Sequence, residues 1–209
     1  MLCLPDDGDH TLRIYIDSDI LMLRGFEDDA LPEAQMAAVP ARATHADDAD
    51  WERFHSLFGL ALPPRRLISL ISRERTVPYF NGGFIVVRGQ PDFGDCWGDT
   101  CRRLRAMPGL AATIRDRFLD RVALTRTAAR LGTPIHAMTL TWNFPSWALA
   151  LGDGPTPIFF HYQSPQRLLR EARTARALDA AAMQFPAVEQ ALRALPEFAA
   201  LLDAAAHAR

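Results

Sequence analysis

Asp17-Ser18-Asp19 is the segment of this 209-residue chain whose residue types and spacing most directly offer chemistry. In an extended backbone, residues i and i+2 share a face, so both carboxylates point into one space about 6–7 Å apart along the chain. Two anions at about 4 Å repel by roughly 1 to 4 kcal/mol, depending on the local dielectric, unless a cation sits between them. A divalent metal relieves that repulsion, and a metal held by only two carboxylates keeps positions open for phosphates. The same residues also read as a pair of solvated acids on a turn. The apolar run Arg13-Ile14-Tyr15-Ile16 just before them raises the weight of the metal reading, because a buried strand that stops at two acids delivers them to a strand end.

Other residues could do chemistry beside that pair. Asn81-Gly82-Gly83 precedes a buried apolar run, and the two glycines mark close backbone approach or unusual dihedrals. Asp120-Arg121 lies in a helix-like stretch, where the acid by itself reads as an ordinary surface carboxylate. His161 ends the strand-like Pro157-Ile158-Phe159-Phe160-His161-Tyr162, and by itself it reads as a capping or core histidine. Trp142 and Trp147 could stack on a sugar, although core packing is the commoner use of such residues.

These groups need elements to hold them. Residues 12–23 are β-rich, short and apolar around a polar centre, which predicts a buried strand ending at Asp17. Residues 25–50 carry five Asp, two Glu and two Pro and read as loop, with 37–40 as a second strand. Apolar residues at 51, 54, 57, 58 and 60 give a helical spacing, with Asp50 as N-cap and Pro63-Pro64 as terminator. Residues 77–88 read as a turn feeding a strand, and 97–131 as helix interrupted at Pro108-Gly109. Short strands follow at 135–140 and 157–162. The chain then turns helical from Pro165, and the Ala/Leu-rich 186–209 reads as one closing helix. Strands alternating with helices, with polar residues where strands stop, predict an α/β sheet that carries its ligands beyond the strand ends.

Composition narrows the chemistry further. The formal net charge is −2, so no global field favours nucleic acid or an anionic membrane. All 23 basic residues are arginine, which excludes Schiff-base, lysine-base and Walker-type phosphate mechanisms, since each needs an ammonium. Cys3, Cys96 and Cys101 form neither a disulfide framework nor a common zinc spacing, and a cytoplasmic setting is expected. The acidic N-terminus is unlike a signal peptide, and no run approaches the roughly 20 apolar residues of a membrane helix.

Acidic D-x-D pairs after a strand occur in haloacid-dehalogenase-like phosphatases, but those also need a downstream lysine, which this chain lacks. Several blocks together resemble the GT-A nucleotide-sugar glycosyltransferases, in particular glycosyltransferase family 8, the glycogenin-like and bacterial galactosyltransferase-like group. Residues 15–23, YIDSDILML, resemble its D-x-D strand; 78–88, PYFNGGFIVVR, its F-N-x-G block; 118–132, FLDRVALTRTAARLG, its D-Q-x-x-L block. LTWNFPS (140–146) resembles the segment that follows, and IFFHY (158–162) the strand whose histidine completes the metal site.

The resemblance implies that Asp17, Asp19 and His161 bind Mn²⁺ or Mg²⁺. It implies that Asn81, with Gly82 and Gly83, holds the donor sugar, that Asp120 and Arg121 stand at the reacting centre, and that Asn143 fixes the adjoining loop. Arg167, or Arg170, would replace the lysine that grips the phosphates. The donor would be a nucleotide sugar, UDP-linked first of all, and the acceptor a sugar, lipid-linked or polyol hydroxyl. The fold implied is a GT-A-type mixed sheet flanked by helices, a partial domain over 1–176 with a C-terminal helical segment over 177–209. In the family several strand–helix units precede the acidic pair, whereas 16 residues precede Asp17 here. The expectation is therefore an N-terminally truncated domain that self-associates or takes a partner chain. The family's D-Q pair is also Asp120-Arg121, which leaves open a second reading, a non-catalytic domain of this fold serving as a binding or partner module.

Overall fold

The computed structural model describes residues 12–41, 46–65, 67–69, 73, 75–145, 157–162, 178–180, 182–184 and 186–207. Contacts divide the chain into two compact units, Met1–Asp17 with Asp29–Met138, and Ser18–Asp28 with Thr139–Arg209.

The first unit is built on a four-stranded mixed sheet. The expected strand before the acids is β1, Leu12–Ile16, and residues 36–40 form β3, one residue longer than expected. Phe80–Arg88 forms β6, the longest strand, and Ile135–Ala137 forms β7. The order is β1-β6-β3-β7, antiparallel except for the parallel β3–β7 pair. A separate ribbon pairs β4 (Leu67–Ile68) with β5 (Arg75–Thr76). Met36, Ala38, Ile85 and Val87 are buried against the helices that follow β6. These are α2 (Phe93–Arg105), through Phe93, Trp97 and Leu104, and α3 (Leu119–Arg130), through Val122 and Ala123. Burying each such side chain stabilises the fold by about 1.5–3 kcal/mol for the larger aliphatics and aromatics.

The first helix, α1, spans Asp48–Ser56 and buries Trp51, Phe54 and His55. Its N-cap is Asp47, not Asp50. Asp47 is extended (φ −82°, ψ −177°) and its carboxylate accepts from the Asp50 N–H at 2.8 Å, so Asp50 sits one turn inside as the satisfied donor. The break expected at Pro108-Gly109 is present, with Gly109 at φ 69°. Before α3 lies a π-helical turn, Ile114–Phe118, which spacing alone did not reveal.

The second unit holds β2 (Ile20–Met22), β8 (Phe144–Pro145) and β9 (Phe159–His161), in the order β2-β9-β8. The strand expected to end at Asp17 closes at Ile16, and residues 20–22 add a strand that was not expected, in a different sheet, because the backbone turns at Ser18-Asp19. The strand expected over 135–140 ends at Ala137, and Leu140–Trp142 is a 3-10 turn. The closing helix is likewise two, α4 (Pro186–Arg193) and α5 (Pro196–His207). Pro196 has no N–H to continue α4 and is well suited to the first turn of a new helix. Leu192, Phe198 and Leu202 from these helices share a buried cluster with Leu23, Phe144 and Phe160. The stretch expected to be helical from Pro165 lies outside the described residues up to 177. The α/β expectation holds, with a mixed sheet and helices.

Candidate functional site

Within the second unit, the strand β9 carries His161 to its end and buries it to 3 % exposure. Register pairs His161 with Ile20, and the Tyr162 N–H donates to the Asp19 carbonyl at 3.1 Å, so β9 is tied to the acidic turn by its main chain. His161 Nδ1 lies 3.0 Å from Asn143 Oδ1, and Nε2 lies 3.2 Å from Asp19 Oδ2. An amide oxygen can only accept, so Nδ1 carries the proton in this arrangement. A neutral ring then turns the bare Nε2 lone pair toward a carboxylate, and lone pair facing anion is repulsive. A proton on Nε2 or a cation between the two groups removes that repulsion. Asn143 is fully buried, and its Nδ2 has no hydrogen-bond partner among the described residues.

Asp17 leaves the end of β1 in the first unit, its N–H donating to the Gly83 carbonyl at 3.0 Å. It stands two positions before Asp19 across the exposed Ser18. Asp17, Asp19 and His161 each offer one atom that could ligate a metal, and of these His161 Nε2 and Asp19 Oδ2 face each other within the second unit. Two carboxylates and an imidazole nitrogen form a donor set that suits manganese better than calcium, which takes oxygen ligands.

Around Asp17, the first unit contributes the Asn81-Gly82-Gly83 block. The β3–β6 register shifts here, so that Val39 alone on β3 faces residues 81–84 on β6. Asn81 Oδ1 accepts from the Gly83 N–H at 3.0 Å and closes the bulge on itself. Neither glycine has a positive φ. What requires Gly82 is space, since a Cβ there would stand 2.5 Å from Asp120 Oδ2. Close approach, not unusual dihedrals, is the reason for that glycine.

Asp120 lies in the first turn of α3, just past the π-helical turn. The main-chain N–H groups of Arg121 and of Asp120 itself lie beside its carboxylate and favour the charged form. The Asp120 carbonyl accepts from Trp97 Nε1 at 3.2 Å, which anchors the turn to α2. Burial pushes the Asp120 carboxyl above the usual carboxylate range; the Arg121 charge and the main-chain donors oppose that, and the Asp17 charge adds to it. The carboxylate thus sits half-buried, within the field of a second acid, on a backbone that lacks a side chain.

Arg121 is stacked on Phe118, with its guanidinium carbon 5.2 Å from the ring centroid. The same guanidinium acts on the buried Tyr79 hydroxyl, opposing the strong upward shift that burial imposes, although among the described residues the hydroxyl has no hydrogen bond of good geometry. Nothing in the sequence singled out Tyr79. Trp142 is 7 % exposed and packs edge-on to Phe26 at 5.1 Å, so it is a core residue. Asn143 bonds the His161 ring, and most of the adjoining loop it was expected to hold lies outside the described residues. Trp147, Arg167 and Arg170 lie outside the described residues. No helix among the described residues is long and apolar enough to cross a membrane.

A family model described as a Rhodobacterales glycosyltransferase domain matches residues 1–132. That span includes Asp17, Asp19, Asn81 and Asp120 and stops before Asn143 and His161. No curated protein and no solved structure matches the chain. The match covers more than half of the sequence, and the chain belongs to the Rhodobacterales glycosyltransferase domain family.

Proposed function

We propose that this member of a glycosyltransferase family is a metal-dependent enzyme of the GT-A type, related in design to glycosyltransferase family 8. It would move a sugar from a nucleoside diphosphate, UDP first of all, to a sugar, lipid-linked or polyol hydroxyl. The observation that carries the reading is the pair His161 Nε2 and Asp19 Oδ2, 3.2 Å apart, with Asp17 two positions before Asp19 in the chain. A Mn²⁺ or Mg²⁺ ion held there would neutralise the diphosphate as it departs.

The chain's own residues divide the remaining work. Asn143 holds the proton on His161 Nδ1 and so keeps Nε2 free as a donor atom. The bulge at Asn81-Gly82-Gly83 offers main-chain groups beside Asp17, where a sugar could approach the backbone closely. Asp120, fixed against Gly82 by main-chain donors, would bind sugar hydroxyls or face the positive charge that develops at the anomeric carbon. Arg121 takes the place of a neutral amide, and its guanidinium is engaged with Phe118 and Tyr79. It would therefore set the position of Asp120 and need not touch the reacting atoms.

That engagement of Arg121 is also what favours the second reading, a domain that binds a sugar nucleotide or a partner without transfer. Calorimetry with Mn²⁺, alone and with UDP, separates them when followed by a donor-hydrolysis screen. UDP-enhanced Mn²⁺ binding that disappears in Asp19→Ala, with donor turnover, supports the enzyme. Binding without turnover of any donor leaves the binding module. A folded protein that binds neither Mn²⁺ nor UDP refutes the metal-dependent site.

A further inference from the structure

Between α3 and the strands β4, β6 and β7, the first unit holds a cavity of about 430 Å³, and every residue that lines it belongs to that unit. Its walls are apolar by residue type. Leu67, Phe80 and Ile135 supply hydrocarbon, and Pro63, Pro78 and Pro134 have no main-chain N–H to offer. Three lining residues carry polar side chains, and each is engaged with the protein itself. Thr125 Oγ1 donates to the Arg121 carbonyl at 3.4 Å. Thr133 Oγ1 donates to the Leu131 carbonyl at 3.3 Å and accepts from Gln90 Nε2 at 3.1 Å. Arg126 is fully buried, with its guanidinium carbon 5.2 Å from the Trp51 ring and Nη1 3.0 Å from His55 Nδ1. Neither Trp51 nor His55 lines the cavity, so the charge is directed away from it. The main-chain N–H groups of Gly132 and Thr133 donate to the carbonyls of Ala129 and Ala128, at 3.2 and 2.9 Å.

That volume falls in the range of small-molecule sites, roughly 300–1,000 Å³. It is about three times the roughly 150 Å³ of an apolar cavity that takes up a benzene-sized ligand. Water is held well only where it finds about two to four polar partners, so hydrocarbon displaces it from such walls favourably. We propose that this cavity binds the alkyl chain of a neutral amphiphile. A charged end drawn between walls whose polar groups are already engaged would lose its hydration without gaining a partner. Ala129, Gly132 and Pro134 are exposed, so the cavity opens on their side and a polar head stays in water there. Ala129 stands nine positions past Asp120 on α3, about 13 Å along the helix axis. That separation sets this site apart from the one proposed for sugar transfer.

The test measures binding of 1-hexanol, 1-octanol and 1-decanol by calorimetry at two temperatures, with octanoate and octylammonium as charged chains of matched length. Wild type is compared with Ala129→Asp and Ala129→Phe, which place a carboxylate or a ring on the wall from an exposed position. Urea unfolding checks that each variant is folded. The expected result is affinity that rises about fourfold per added methylene, with a negative heat-capacity change. Octanol should bind at least tenfold tighter than octanoate or octylammonium. A loss of octanol binding of at least tenfold in either folded variant supports the site, and wild-type affinity in both overturns it. No alcohol binding by folded wild type also overturns the proposal. So does affinity that does not grow with chain length, or a charged chain that binds as tightly as octanol. None of these readouts depends on metal or sugar-nucleotide binding.

Discussion

Replacing Gly82 by alanine tests whether the backbone of the bulge and the Asp120 carboxylate are fitted to each other. The new Cβ would meet Asp120 Oδ2 at 2.5 Å and its Cγ at 3.6 Å. Heavy-atom contacts need about 3.5–4.0 Å, so the oxygen must move by roughly 1 Å. Asp120 can do this only by swinging off the main-chain N–H groups that hold it. Losing a hydrogen bond to a charged group costs about 1.5–3 kcal/mol, and overpacking costs typically 1–3 kcal/mol, so Gly82→Ala should destabilise by about 1–3 kcal/mol. Urea unfolding at neutral pH reads the loss directly. The decisive comparison is the double variant with Asp120→Ala, in which the obstructing carboxylate is gone. Most of the penalty should then disappear, as a coupling of about 1 kcal/mol or more. In a donor-turnover assay, a misplacement of this size costs about a hundredfold. Additive single effects, or a Gly82→Ala protein as stable and active as wild type, would refute the fit.

Three further outcomes are expected. Asn143→Leu should leave the fold in place and weaken Mn²⁺ binding about 10–100-fold, measured by calorimetry, because the His161 ring loses the group that orients it; unchanged affinity would show that Asn143 does not act through His161. Asp120 has a raised folded pKa, so wild type should lose stability as pH rises from the unfolded value of about 3.9 through the folded one. Asp120→Asn should remove that fall, and urea midpoints against pH will show it or not. His55 is held near 4 against an ordinary 6.5, by burial first and then by the Arg126 charge. Its stability contribution, about 3 kcal/mol at most, should be fully present above 6.5 and fade as pH falls toward 4, and a His55→Gln variant with the same acid limb would contradict this.

Much of the first unit could be read from local pattern. The apolar run that becomes β6, the helical spacing around Trp51 and the break at Pro108-Gly109 each follow from residue types a few positions apart. The caps and boundaries were harder, because Asp47, Asp48 and Asp50 are equivalent acids until the backbone turns at one of them. The second strand, β2, was hidden because it continues the apolar stretch of β1 past the acids, and only their separate partners, β6 and β9, set the two apart. Arg126 did leave a signal, a cation in register with Leu119, Val122 and Ala123, and helical phase would have found it. Tyr79 left none, since an aromatic before a strand is ordinary until an arginine lies beside its hydroxyl.

The sequence by itself determined the kinds of chemistry on offer. Two acids two positions apart, a strand ending in histidine and the absence of lysine follow from residue identity and spacing, which act over one or two turns of chain. Tertiary structure alone decided which of these groups meet. Asp19 and His161 lie 142 positions apart and touch only because β2 pairs with β9. Gly82 matters because α3 brings Asp120 against it, and Arg126 meets the Trp51 ring because α3 packs against α1. Such contacts depend on strand pairing and helix packing across the whole chain, and no local pattern encodes them.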